Sequence, residues 1–138
     1  MIYRLCIEGR LIGTNEYSDA QRGLYGAYRG NHEKRTAEEL IGWHIKAQLN
    51  GVQITKPVRI VIIWVEPNIM RDRDNISMAR KFIQDALVKH KVLKGDGWKY
   101  VHDPVDLFTT DPARPRVEVL LIEQPACEAP KKKAKLGG

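Results

Sequence analysis

Disulfide chemistry is the first thing this chain does without. Two cysteines in 138 residues, Cys6 in an apolar run and Cys127 near the end, form neither a paired framework nor a zinc box. Reduced thiols in a cytoplasmic protein are therefore expected. No stretch of about 18 apolar residues exists for a membrane span, and the opening MIYRLCIEGR lacks the uninterrupted apolar core of a secretory signal. Internal repeats are absent. His32 and His44 have no second ligand at i+4, which argues against a histidine metal site on a helix. His102 beside Asp103 has no marked serine or cysteine nucleophile to serve, and neighbours on a strand face opposite ways.

What is present is one domain's worth of chain with a basic balance. A length of 138 residues and 43% hydrophobic content suit a single core. The net charge of +6 favours a polyanionic partner such as nucleic acid. Its distribution matters: after Pro125, four lysines against one glutamate hold half of that charge in a solvated tail. The expected division is a folded body over 1–124 and a basic, unstructured tail over 125–138.

Alternating β-formers over residues 2–8 predict a strand, and the glycine- and tyrosine-rich segment 12–33 reads as a long loop. Within and just after it, Tyr17, Tyr25 and Tyr28 with Lys34 and Arg35 offer stacking faces and phosphate-binding cations, or else pack on the domain's own surface. Thr36 and Glu39 form a capping-box pattern, followed by a helix whose apolar stripe includes Ile41, Ile45 and Leu49. Pro57 introduces VRIVIIWVEP, a β-branched run with too few polar breaks for a one-sided strand, hence a central one. Residues 98–110 predict a strand interrupted at Asp103-Pro104 and therefore placed at an edge. RVEVLLIE, 116–123, is the last strand. This order gives an α+β fold: a two-layer α/β sandwich with a small mixed sheet and two main helices.

The chemistry concentrates between Arg71 and Tyr100. Asp72 and Asp74 stand two apart, so in an extended segment both carboxylates project to one side. That repulsion is offset by a hard divalent cation such as Mg²⁺ (or Mn²⁺), which prefers carboxylate oxygens; the alternative is a helix N-cap at Asp74 or Asn75 with Asp72 solvated. Ile76, Ala79, Ile83, Ala86 and Leu87 predict a helix running to about His90. At about 100° per residue, Lys81 falls on the same side as Asp74 and within reach of an oxyanion there; the alternative is an i,i+4 pair with Asp85. Asp96 lies between two glycines, in a turn that could return to the aspartates of its own chain or serve those of a partner. Eight lysines and arginines against four acids over residues 71–100, Arg71 and Arg73 among them, would hold a phosphate backbone beside the acidic site.

These residues resemble the RusA family of Holliday-junction resolvases. The family's RDxDN segment matches Arg71, Asp72, Asp74 and Asn75, its D-A-L matches Asp85-Ala86-Leu87, and its acid before a strand matches Asp96. Lys81 takes the place of the family's catalytic lysine once a short insertion within Ser77–Arg80 is allowed, and Gly95 stands where many members carry a further aspartate. Thr14-Asn15 occupies the position of an N-terminal Ser-Asn or Asn-Asn. The resemblance implies Asp72, Asp74 and Asp96 as catalytic metal ligands for Mg²⁺, Lys81 as a catalytic cation, and Asn15, Arg71, Arg73 and Asn75 among the DNA contacts. It also implies a homodimer that cuts branched DNA. A non-catalytic nucleic-acid-binding relative is the other reading; a phosphotransferase with a nucleophilic aspartate is disfavoured by the residues between Pro67 and Arg71.

Overall fold

The computed structural model describes residues 1–13 and 26–125, side chains of 26–31 excepted. In chain order the elements are β1 (Ile2–Glu8), α1 (Gly26–Gln48), β2 (Val58–Glu66), α2 (Arg73–Ser77), α3 (Arg80–Lys89), β3 (Val101–Thr110) and β4 (Arg116–Glu123). The strands form one mixed sheet in the order β1-β4-β2-β3. β4 runs antiparallel to both β1 and β2, while β2 and β3 are parallel. The fold is the expected α+β one.

Period-2 burial decides how the layers meet. Ile60, Ile62 and Trp64 of β2 stand opposite Leu121, Val119 and Val117 of β4, which in turn neighbour Leu5 and Ile7 of β1 on the same face. These side chains share one buried cluster with Ile41 and Ile45 of α1 and Ile83 and Leu87 of α3. On the other face Arg59, Val61, Leu120 and Ile122 are half-buried or exposed, while Val65 is buried. β2 is central, flanked on both sides, as its β-branched run requires.

Three local expectations are corrected. Helix α1 begins at Gly26, so the last eight residues of the segment read as loop are helical and the helix starts well before Thr36. The Thr36 hydroxyl donates to the His32 carbonyl 2.9 Å away, the back-bond of a mid-helix threonine and not a cap. Residues 14–25, with Tyr17 and Tyr25, lie outside the described residues, as does the tail from 126. The single helix expected from about Asn75 to His90 is two, α2 and α3, separated at Met78 and Ala79. Lys91, at φ 62°, ends α3 in the left-handed conformation, and the Val92 and Leu93 amides both reach back to the Leu87 carbonyl.

The proline in β3 does not end the strand. Arg59 pairs with His102 but Val61 pairs with Val105, so Asp103 and Pro104 together oppose one residue of β2, a bulge on an edge strand. Truncating Leu87, which is fully buried, tests the packing: Leu87→Ala should cost about 2–5 kcal/mol, seen as a lower urea midpoint with an unchanged slope.

Candidate functional site

The acidic segment leaves the C-terminal end of β2 and is tied down there by a buried ion cluster. Glu66, the last residue of β2, is buried, and Arg71 meets it in a two-point contact, Nε to Oε1 at 3.0 Å and Nη2 to Oε2 at 2.9 Å. Arg10 adds a further bond to Oε1 at 3.1 Å, and Arg71 Nη1 also donates to the Leu11 carbonyl at 3.1 Å. Paired, forked hydrogen bonds of this kind are the strong form of the Arg–carboxylate contact. They fix the turn 67–71 that delivers the aspartates. Arg71, expected as a DNA contact, is therefore used inside the protein.

Asp72 occupies the N-cap position of α2 with extended backbone, φ −67° and ψ 153°, yet its side chain makes no capping bond. Its carboxylate remains exposed. Asp74 lies in the first helical turn, where the positive end of the peptide dipoles favours an anion. Because the helix starts between them, the alternation that would align two residues of an extended segment does not apply. Asp72 lines a cleft of about 330 Å³ with Arg73, Phe108 and Thr110, and Asp74 lines an adjoining one of about 290 Å³ with Arg80 and Lys81. Lys81 is 72% exposed and its ammonium lies 3.9 Å from Asp85, a loose i,i+4 pair on the rim of the Asp74 cleft. Beneath it, Asp106 of β3 accepts the Trp64 indole N–H at 2.9 Å and pairs with Arg80, which anchors the start of α3 to the sheet.

Asp96 is elsewhere. Parallel strands joined by a crossover require the chain to return to the end of the sheet where β2 began. Asp72 and Asp74 follow the end of β2, whereas Asp96 precedes β3, whose first residue Val101 pairs with Val58 at the start of β2. The eight residue steps from Val58 to Glu66 separate the two ends by roughly 26 Å at about 3.3 Å each. Within one chain, then, Asp96 does not join Asp72 and Asp74, and among the described residues no three His, Cys, Asp or Glu side chains group as a metal site. Gly95 has a steric reason: a Cβ there would sit 2.9 Å from the Tyr100 ring, so an aspartate requires that ring to move.

The remaining expected contacts divide. Asn15 lies outside the described residues. Asn75 is buried, 8% exposed. Arg73 is exposed and stands over the Phe108 ring, 5.6 Å from its centroid. Lys34 and Arg35 line a third cleft, between α1 and the end of α3. Glu66 and Asp106, which position the site, went unread because a single acid inside a strand run carries no spacing signal. No family model matches the chain, and no curated protein matches it. No helix among the described residues is long and apolar enough to cross a membrane.

Replacing Arg71 by alanine should destabilise the fold by about 3 kcal/mol, since removing its forked partner leaves a buried carboxylate poorly compensated; among the described residues Arg10 remains on Glu66. A thermal melt checks it, and loss of a similar size is expected for Glu66→Ala.

Proposed function

We propose that the protein is a metal-dependent endodeoxyribonuclease acting on branched DNA such as a Holliday junction, with each site completed by a second copy of the chain. The observation that carries this reading is the Asp72 carboxylate, unspent on its own helix and held at the end of the central strand by the Glu66–Arg71 cluster. A rigid loop end bearing exposed acids next to cations is where a hard metal and an anionic substrate can meet.

Asp72 and Asp74, exposed on separate clefts, would each offer a carboxylate with room for waters to Mg²⁺ or Mn²⁺. Such an ion, when bound, lowers the pKa of a water nucleophile and offsets charge on the phosphodiester. Lys81 presents an ammonium on the same cleft as Asp74 and would face an anionic phosphate oxygen there. Arg73, exposed beside Phe108, would hold the adjoining backbone. The third carboxylate would come from Asp96 of the partner subunit. In a two-fold pair with antiparallel neighbouring strands, the start of one β3 approaches the end of the other. Large apolar side chains stand exposed beside both half-sites, Ile69 at 89% and Met70 at 83% near Asp72, Trp98 at 73% near Asp96, as surfaces awaiting a partner would.

The separation of Asp96 and the glycine at position 95 favour a second reading, a nucleic-acid-binding relative that does not cut. Cleavage of a synthetic four-way junction in Mg²⁺ and in EDTA decides between them. Asp74→Asn is expected to abolish cleavage while junction binding in EDTA persists, and Lys81→Ala to lower the single-turnover rate by about 10²-fold or more with little change in binding. Subunit sharing has its own test. Asp74→Asn and Asp96→Asn, each inactive alone, should recover activity on mixing, with about one site in four intact after random exchange in a dimer. No recovery on mixing, with exchange verified, returns Asp96 to a structural turn.

A further inference from the structure

The cleft of about 530 Å³ that α1 forms with the end of α3 has no part in the aspartate site, and its make-up is specific. Gly42 allows the close approach: a Cβ there would lie 2.6 Å from His90 Nε2, so only glycine admits that ring against the helix. Around this floor stand Lys34, Arg35 and Lys46 from α1 and Lys89 from α3. Two carboxylates share the cleft, and Glu38 is only 4.0 Å from Lys34, leaving the balance positive. Burial first, then the charges of Lys46 and Lys89, holds the His90 imidazole below its usual pKa. Trp43 stands on the rim at 74% exposure. At i, i+8 and i+11, Arg35, Trp43 and Lys46 fall on one stripe of α1 about 16 Å long.

We propose that this cleft binds single-stranded nucleic acid, with Trp43 stacking on an unpaired base and Arg35, Lys46 and Lys89 holding the flanking phosphates. An exposed indole between cations is the arrangement by which sequence-tolerant strand binders work. Bases in a duplex are already stacked on each other and present no free face to Trp43. An acidic peptide would satisfy the cations but leave the indole without a partner. The cleft lies at the end of α3 away from Asp72 and Asp74, so strand binding there goes beyond the nuclease reading and does not depend on it.

The test is fluorescence anisotropy of a labelled oligothymidylate with the full chain in EDTA, where cleavage plays no part. Trp43→Ala is expected to weaken single-strand binding by about tenfold while duplex binding stays within about twofold, and Trp43→Phe should retain most of the affinity. Because Trp43 is exposed, the fold should tolerate both changes, which circular dichroism verifies. Replacing Lys46 and Lys89 together by alanine should reduce the salt slope by about 1.4, two phosphate contacts at about 0.7 each. Absence of wild-type binding, equal binding by Trp43→Ala, an unchanged salt slope, or equal competition by polyglutamate would each overturn the proposal. None of these readouts reports on Asp72, Asp74 or Asp96, so the two ideas stand or fall separately.

Discussion

The parallel pairing of β2 with β3 constrains everything else in the molecule. It forces the chain through a crossover, and α2 and α3 are that crossover. Residues that follow β2 are thereby assigned to one end of the sheet and residues that precede β3 to the other. A cluster drawing on both groups cannot close inside one copy, whatever the flexibility of the glycine turn around Asp96. Asp72 and Asp74 are thereby placed at one end of the sheet and Asp96 at the other.

The end that bears Asp72 and Asp74 is held in place by polar groups that would be costly if left alone. Glu66 sits buried at the end of the central strand, where Arg71 and Arg10 both meet it and offset its burial. Asp106 links Trp64, Arg80 and β3 and so joins the start of α3 to the sheet. These contacts fix the backbone on either side of Asp72 and Asp74 while using neither aspartate. The strength of the framework and the exposure of the aspartates are two sides of one arrangement, since carboxylates committed to internal pairs could not serve an outside ion.

Much of the fold could be read from the residues. The unbroken β-branched run from Val58 marked the central strand, Pro104 marked an edge, and the Ile41, Ile45, Leu49 spacing marked the first helix's buried stripe. Two features could not be read. The start of α1 at Gly26 was hidden by glycines, which lower helix propensity, and tertiary context overrode that preference. The break at Met78 and Ala79 was invisible because Ile76, Ala79 and Ile83 keep helical spacing across it, and all three are buried. For the site, residue type singled out Asp72, Asp74 and Lys81, which the structure places after the end of β2, Asp72 on one cleft and Asp74 with Lys81 on another. Strand direction, which decides the place of Asp96, is not written in any local pattern. Arg71 and Asn75 were legible as polar residues next to acids, but only burial distinguishes a charge turned inward from one offered to DNA.

The bulge at Asp103 and Pro104 bears on how the protein behaves at high concentration. An outer strand ten residues long is ordinarily a template for indefinite polymerisation. Here its first half carries a residue with no N–H to offer and a kink that spoils the ladder. Only the stretch from Val105 onward can accept a neighbour in good register. The regular part of that edge is thereby shortened to six residues, which makes it a poorer template for added strands.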